Sequence, residues 1–90
     1  MIKKKLLKQL SNNTLSFNAR VKLCNQHLER CGKGSARRVY HWSKNRVIKL
    51  AYNKKGVAQN QAELNLWETT EDRNLCKIYN HDGWNLYWLI

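Results

Sequence analysis

Arg37-Arg38-Val39-Tyr40-His41-Trp42-Ser43-Lys44-Asn45-Arg46-Val47-Ile48-Lys49-Leu50-Ala51-Tyr52 is the stretch whose reading decides the fold. Side chains alternate with period two on both sides of Ser43-Lys44-Asn45, a trio suited to a turn. Arg38, Tyr40 and Trp42 share one side of the first strand, and Arg37, Val39 and His41 the other. In the second strand, residues 46–52, Val47, Lys49 and Ala51 oppose Ile48, Leu50 and Tyr52. Two such strands predict an antiparallel hairpin.

Working outward, Asn53-Lys54-Lys55-Gly56 reads as a loop, and residues 57–69 as a helix with Val57, Leu64 and Trp67, joined by Ala58 and Ala62, facing the core. Residues 75–79 and 84–90 are strand-like, separated by Asn80-His81-Asp82-Gly83, whose Asp-Gly step signals a hairpin turn. Upstream, Asn12, Asn13 and Thr14 can cap a helix in which Phe17, Val21, Cys24 and Leu28 recur at helical spacing, ending near Cys31-Gly32. Ile2, Leu6 and Leu10 share the apolar side of a shorter basic helix before it. The predicted class is α+β: N-terminal helix or helices, then β-β-α-β-β with an antiparallel sheet.

Ninety residues allow one small domain, 1–90, divided into a basic helical extension over 1–30 and a βαββ unit over 31–90. A multi-domain enzyme is excluded. With 42% hydrophobic residues, four Trp and four Tyr, the chain carries too much apolar mass for a disordered basic tail. Its apolar runs fall far short of a membrane span, and the basic N-terminus lacks the apolar stretch of a signal peptide. Three cysteines cannot all pair internally, which fits a reducing compartment and predicts a cytoplasmic protein.

The net charge of +11 is unevenly spread. Residues 1–55 hold fifteen Lys and Arg against Glu29 alone, a charge of +14, whereas residues 56–90 carry −3. This asymmetry points to an anionic partner for the first half, set against the plainer reading of a solvated basic surface. Lys3, Lys4, Lys5 and Lys8 form one cluster, and Arg37, Arg38, Lys44 and Arg46 a second, interleaved with Tyr40 and Trp42. Cations beside rings make a common nucleic-acid surface, although Tyr40 and Trp42 share a strand face and are as readily read as core. A basic helix over residues 2–10 also suits an anionic membrane, but it is short and carries no ring, so no membrane partner is expected.

Gly32-Lys33-Gly34-Ser35-Ala36-Arg37-Arg38-Val39 looks like the glycine-rich loop G-x-G-x-x-G-x-V, with Arg37 at the third glycine position. Alternatively, Gly32 ends the preceding helix and Gly34 eases entry into a strand. Val47-Ile48-Lys49 is similar to the end of the V-A-I-K strand motif, whose lysine pairs with a glutamate on the following helix; Glu63 is the candidate carboxylate, with Glu68 a second choice. Taken with the element order, these motifs resemble the N-terminal lobe of protein-kinase-like folds, and particularly short kinase-like proteins of phages and mobile elements. The resemblance covers residues 31–90 and implies a Lys49–Glu63 pair, a glycine loop at Gly32 and Gly34, and a β4-β5 hairpin over the C-terminal strands. No counterpart of the H-R-D or D-F-G segments follows, so the expectation is a non-enzyme without a cofactor.

Cys24, His27 and Cys31 stand at C-x2-H-x3-C spacing, with Cys76 or His81 as a fourth ligand. Cys24 fits the apolar helical stripe better, and no metal site is expected. Two functional expectations result. The first is a non-catalytic basic module, of the phage accessory kind and acting in the host cytoplasm, that contacts nucleic acid or a nucleoprotein enzyme. The second is a protein-directed inhibitor or regulator of a host enzyme, acting through Trp84, Tyr87, Trp88 and Ile90, whose apolar groups a homodimer would also cover.

Overall fold

The computed structural model describes residues 2–69, 78–83 and 85–90. It is α+β, with three helices and a four-stranded antiparallel sheet among the described residues. The elements are α1 (Ile2–Leu10), α2 (Phe17–His27), β1 (Arg30–Lys33), β2 (Arg37–Ser43), β3 (Arg46–Ala51), α3 (Lys54–Thr69) and β4 (Trp88–Leu89). The strands lie side by side in the order β1-β2-β3-β4. No described helix is long and apolar enough to cross a membrane.

The β2–β3 hairpin forms as its alternation requires. Tyr40 pairs with Ile48 and Arg38 with Leu50 on one face, Val39 with Lys49 and Arg37 with Ala51 on the other. The first face carries the larger apolar core, in which Leu6 and Leu10 of α1 and Cys24 of α2 meet Tyr40, Ile48, Leu50, Trp88 and Ile90. The helical extension over 1–30 therefore shares its core with the sheet. The second face takes α3, where Leu64 packs with Leu86 and Leu89.

Several element boundaries differ from expectation. A strand precedes the hairpin: Arg30–Lys33 is β1, so α2 stops at His27 and Cys31 and Gly32 lie in the sheet. The α2 cap is Ser16, whose hydroxyl accepts from Ala19 N at 3.1 Å, while Asn12 folds the preceding turn by accepting from Thr14 N at 3.0 Å. Helix α3 begins at Lys54, within the expected loop, because Asn53 caps it by accepting from Gly56 N at 3.1 Å. Its buried stripe is Gly56, Asn60 and Leu64, with Val57 beside it; Ala58 and Ala62 are exposed.

The C-terminal turn also shifts. Residues 80–83, expected to turn, include positions that pair: Ile90 N donates to Asn80 O at 2.9 Å, Asp82 N donates to Trp88 O at 3.1 Å, and His81 bridges Leu89. The chain reverses later, where Leu86 takes a left-handed φ of 51° and Tyr87 N donates to the Asp82 carboxylate at 3.2 Å. Residues 75–77 of the expected first strand, Cys76 among them, and Trp84 lie outside the described residues.

Candidate functional site

Two places in the fold collect charged side chains. The first lies on the α3 face of the sheet. Lys49 on β3 and Glu63 on α3, fourteen residues apart, pair with Nζ to Oε2 at 3.1 Å. Arg37 at the start of β2 holds the other carboxylate oxygen at 2.7 Å and donates to Asn60 Oδ1 at 3.3 Å. Asn60, fully buried, donates in turn to Leu86 O at 2.8 Å. Partial burial works against the Glu63 charge, but hydrogen bonds from Arg37 and Lys49 and their charges outweigh it and hold the carboxyl below its ordinary 4.5.

The backbone makes this network possible. Gly56 lets the first turn of α3 come against the β1–β2 turn, since a Cβ there would stand 2.1 Å from the Ala36 carbonyl oxygen. That turn is tied by Gly34 N donating to Arg37 O at 2.9 Å and by Asn53 Nδ2 donating to Ser35 O at 3.2 Å. Beside the Lys49–Glu63 pair opens a cleft of about 290 Å³, floored by Val47, Leu89 and Ile90 and rimmed by Arg46 and Tyr79.

The second place is the end of the molecule where β2 turns into β3. Lys3 donates to the carbonyl of Trp42 and its ammonium sits over the Trp42 ring, 5.3 Å from its centre. This contact sets the first turn of α1 beside the turn that carries Lys44. Leu6 and Leu10 face the core, so Lys4, Lys5 and Lys8 project from the opposite side of the same helix. Lys4, Lys5, Lys8 and Lys44 are exposed and form no ion pair among the described residues.

The eight cations expected to meet a partner are thus not one set. Arg37 and Arg38 lie at one end of β2 and Lys44 and Arg46 beyond the other, about 20 Å away at strand rise. The arginines are engaged internally: Arg37 on Glu63, Arg38 on the Gly34 carbonyl at 2.8 Å and over the Tyr52 ring at 4.0 Å, and Arg46 over Tyr79 at 3.7 Å. Tyr40 is buried, with its hydroxyl donating to Asn25 Oδ1 at 2.9 Å, and Trp42 packs partly against the same core. Basic and aromatic residues do interleave in sequence, but Arg38, Arg46 and Trp42 find their ring or cation partners elsewhere in the chain.

Arg20 was not marked by its sequence context. It is only 1% exposed, lies 3.4 Å from the Tyr87 ring centre, and donates to the Leu10 carbonyl at 2.9 Å and the Asn12 carbonyl at 2.7 Å. It therefore closes the C-terminal end of α1, whose last carbonyls lack helical partners. Its position four residues after the Ser16 cap, on the Cys24 side of α2, is the only signal the sequence offers.

The apolar C-terminal residues are largely covered. Trp88 and Ile90 are in the core, Trp88 Nε1 donates to Ser11 Oγ at 3.0 Å, and Tyr87 lies under Arg20 with Phe17 edge-on at 6.0 Å. Burial pushes the Cys24 thiol up to about 12, so it stays protonated inside the core, while Cys31 is exposed on β1. Among the described residues no three His, Cys, Asp or Glu side chains group as metal ligands, and the C-x2-H-x3-C spacing does not assemble a site. Gly32 lies in β1 and Gly34 at its end, flanking a hollow lined by Lys33, Ser35, Val39 and Gln59.

Compared with known proteins, the chain matches no protein-family model, no curated protein and no solved structure.

Proposed function

We propose that the protein is a non-catalytic basic binding module, with a fold like a kinase N-lobe, that docks on the phosphates of nucleic acid, alone or within a nucleoprotein enzyme. The observation that carries this reading is the row of exposed lysines along α1, Lys4, Lys5 and Lys8, with Lys44 on the turn that meets the first turn of that helix, all without acidic partners among the described residues. Each ammonium that neutralises a phosphate releases a counterion and adds salt-dependent affinity. Membrane insertion of α1 has no comparable support, because Leu6 and Leu10, which would enter the lipid, are seated on the sheet.

The kinase-like part of the proposal is supported by the Lys49–Glu63 pair and by the hairpin, helix and returning strand that carry it. The non-catalytic part is supported by Arg37, which competes with Lys49 for the same carboxylate and leaves neither cation without a counter-charge. The protein-directed alternative, and a homodimer through the same residues, gain nothing from Trp88 and Ile90, which are already inside the core. Fluorescence anisotropy with labelled mixed-sequence DNA and RNA checks the nucleic-acid reading. Saturable binding at low ionic strength that weakens steeply with added salt is expected; no binding to either at low salt contradicts it.

A further inference from the structure

We infer that the cleft beside the Lys49–Glu63 pair takes one unpaired base of the nucleic acid whose phosphates lie on the lysines. The inference rests on the nucleic-acid reading above and adds a second contact to it. A base inside a duplex is paired and stacked, so a base that enters a cleft has to leave that stack. The partner is therefore single-stranded where it crosses this site.

The lining of the cleft suits a base. Its floor is apolar, made by Val47, Leu89 and Ile90, and its volume of about 290 Å³ lies at the small end of ligand pockets. Tyr79 stands on the rim with 47% of its surface exposed, and the Arg46 guanidinium lies 3.7 Å from the centre of that ring. Aromatic rings and arginine planes are the surfaces on which single strands stack their bases. At the mouth, the exposed Asn45 amide carries both a donor and an acceptor for a base edge. The acid that lines the cleft, Glu63, is held between Lys49 and Arg37, so its charge is offset.

The cleft also continues from the lysines. Asn45 and Arg46 directly follow Lys44 on the β2–β3 turn, and Lys3 ties that turn to the first turn of α1, where Lys4 and Lys5 begin the basic row. A strand that lays its phosphates on Lys4 and Lys44 thus arrives at the mouth of the cleft. Trp42 and Tyr52, the rings beside Lys3 and Arg38, do not line it.

The test uses the full chain, followed by fluorescence anisotropy and by methyl NMR. The probes are an oligothymidylate of about twelve nucleotides, within the span of a single binding fold, a mixed-sequence DNA duplex of the same length, and thymidine monophosphate. The oligothymidylate should bind about tenfold more tightly than the duplex, the factor that one stacked base supplies. It should shift the methyl signals of Val47 and Leu89 and leave those of Leu15 and Leu23, on the α1–α2 side, in place. The monophosphate should bind at least about a hundredfold more weakly, because it lacks the neighbouring phosphates. Arg46→Lys, which keeps the charge and removes the plane, and Tyr79→Ala should each lower strand affinity about tenfold, with the salt slope and the duplex affinity unchanged. Should Tyr79→Ala disturb the sheet in circular dichroism, Arg46→Lys decides alone. A duplex or a monophosphate that binds as tightly as the strand, or strand affinity indifferent to both variants, overturns the base site and leaves the proposed function standing. No binding of strand or duplex at low salt overturns both.

Discussion

The two faces of the sheet use charge in opposite ways. Against one face lie α1 and α2, which seal an apolar core beside the buried cation Arg20 and carry their lysines on the outside. Against the other lies α3, where the contact is partly polar and Arg37 and Lys49 converge on Glu63. The sealed face leaves free charge at its rim, and on the half-open face Arg37 and Lys49 are paired internally with Glu63. A count of basic residues therefore overstates what a partner can meet; which cations already have a ring, carbonyl or carboxylate decides it.

The comparison breaks most visibly if the seal fails. Arg20→Ala strips the buried Leu10 carbonyl of its side-chain donor, takes one of two donors from the Asn12 carbonyl and uncovers Tyr87, with an expected loss of about 3 kcal/mol. Urea denaturation measures the loss, and alkylation gives a second readout: in the native protein Cys31 should react while Cys24, buried and protonated, should not. In the variant Cys24 should become reactive well before the wild type releases it. An unchanged midpoint would show that Arg20 is not what closes α1.

A smaller effect is expected on the other face. Gly56→Ala places a methyl group against the Ala36 carbonyl and should cost about 2–3 kcal/mol as α3 is pushed from the β1–β2 turn. Amide exchange should show Arg37 and Lys49 losing protection with α3, while α2 is little changed. Uniform loss across the molecule would mean that the two faces are not separable.

Glu63→Gln comes next. The carboxylate side chain is 34% exposed, so solvent screens the pair and its removal should cost no more than about 1 kcal/mol. Because folding lowers the Glu63 pKa, the pair's contribution is complete above the ordinary 4.5 and is lost as pH falls through the lowered folded value. The wild type and the variant should therefore differ in stability at neutral pH and converge in acid. A difference that persists at low pH would contradict an ionic origin.

Much of this contrast was legible in the sequence, and the rest depended on where segments meet. The alternation of residues 37–52 assigned Tyr40, Ile48 and Leu50 to one face and Lys49 to the other, because a strand's period of two leaves no choice once its register is known. Glu63 was legible as a carboxylate on the next helix. Strand β1 was not, since four residues containing Gly32, Lys33 and Arg30 carry no strand pattern and pair only because β2 is beside them. Gly56 reads as a loop residue until the carbonyl of Ala36 shows why a glycine is needed within a helix. Arg20 offers the same lesson: its partners are carbonyls of another helix end and the following loop, and no local pattern announces them.

The smallest expected effect on stability belongs to the rim. Lys4→Gln with Lys8→Gln should shift the denaturation midpoint by less than about 0.5 kcal/mol, since both side chains lie in solvent. Any larger change would place these lysines inside the fold's own energetics.

The central claim, that the lysines are free and the arginines committed, is tested most directly by comparing the salt dependence of nucleic-acid affinity in two variants. Replacing Lys4, Lys5 and Lys8 by Gln should lower the magnitude of the slope by about three, whereas replacing Arg37 and Arg38 by Gln should leave it where it was. An arginine variant that loses as much slope as the lysine variant would contradict the account.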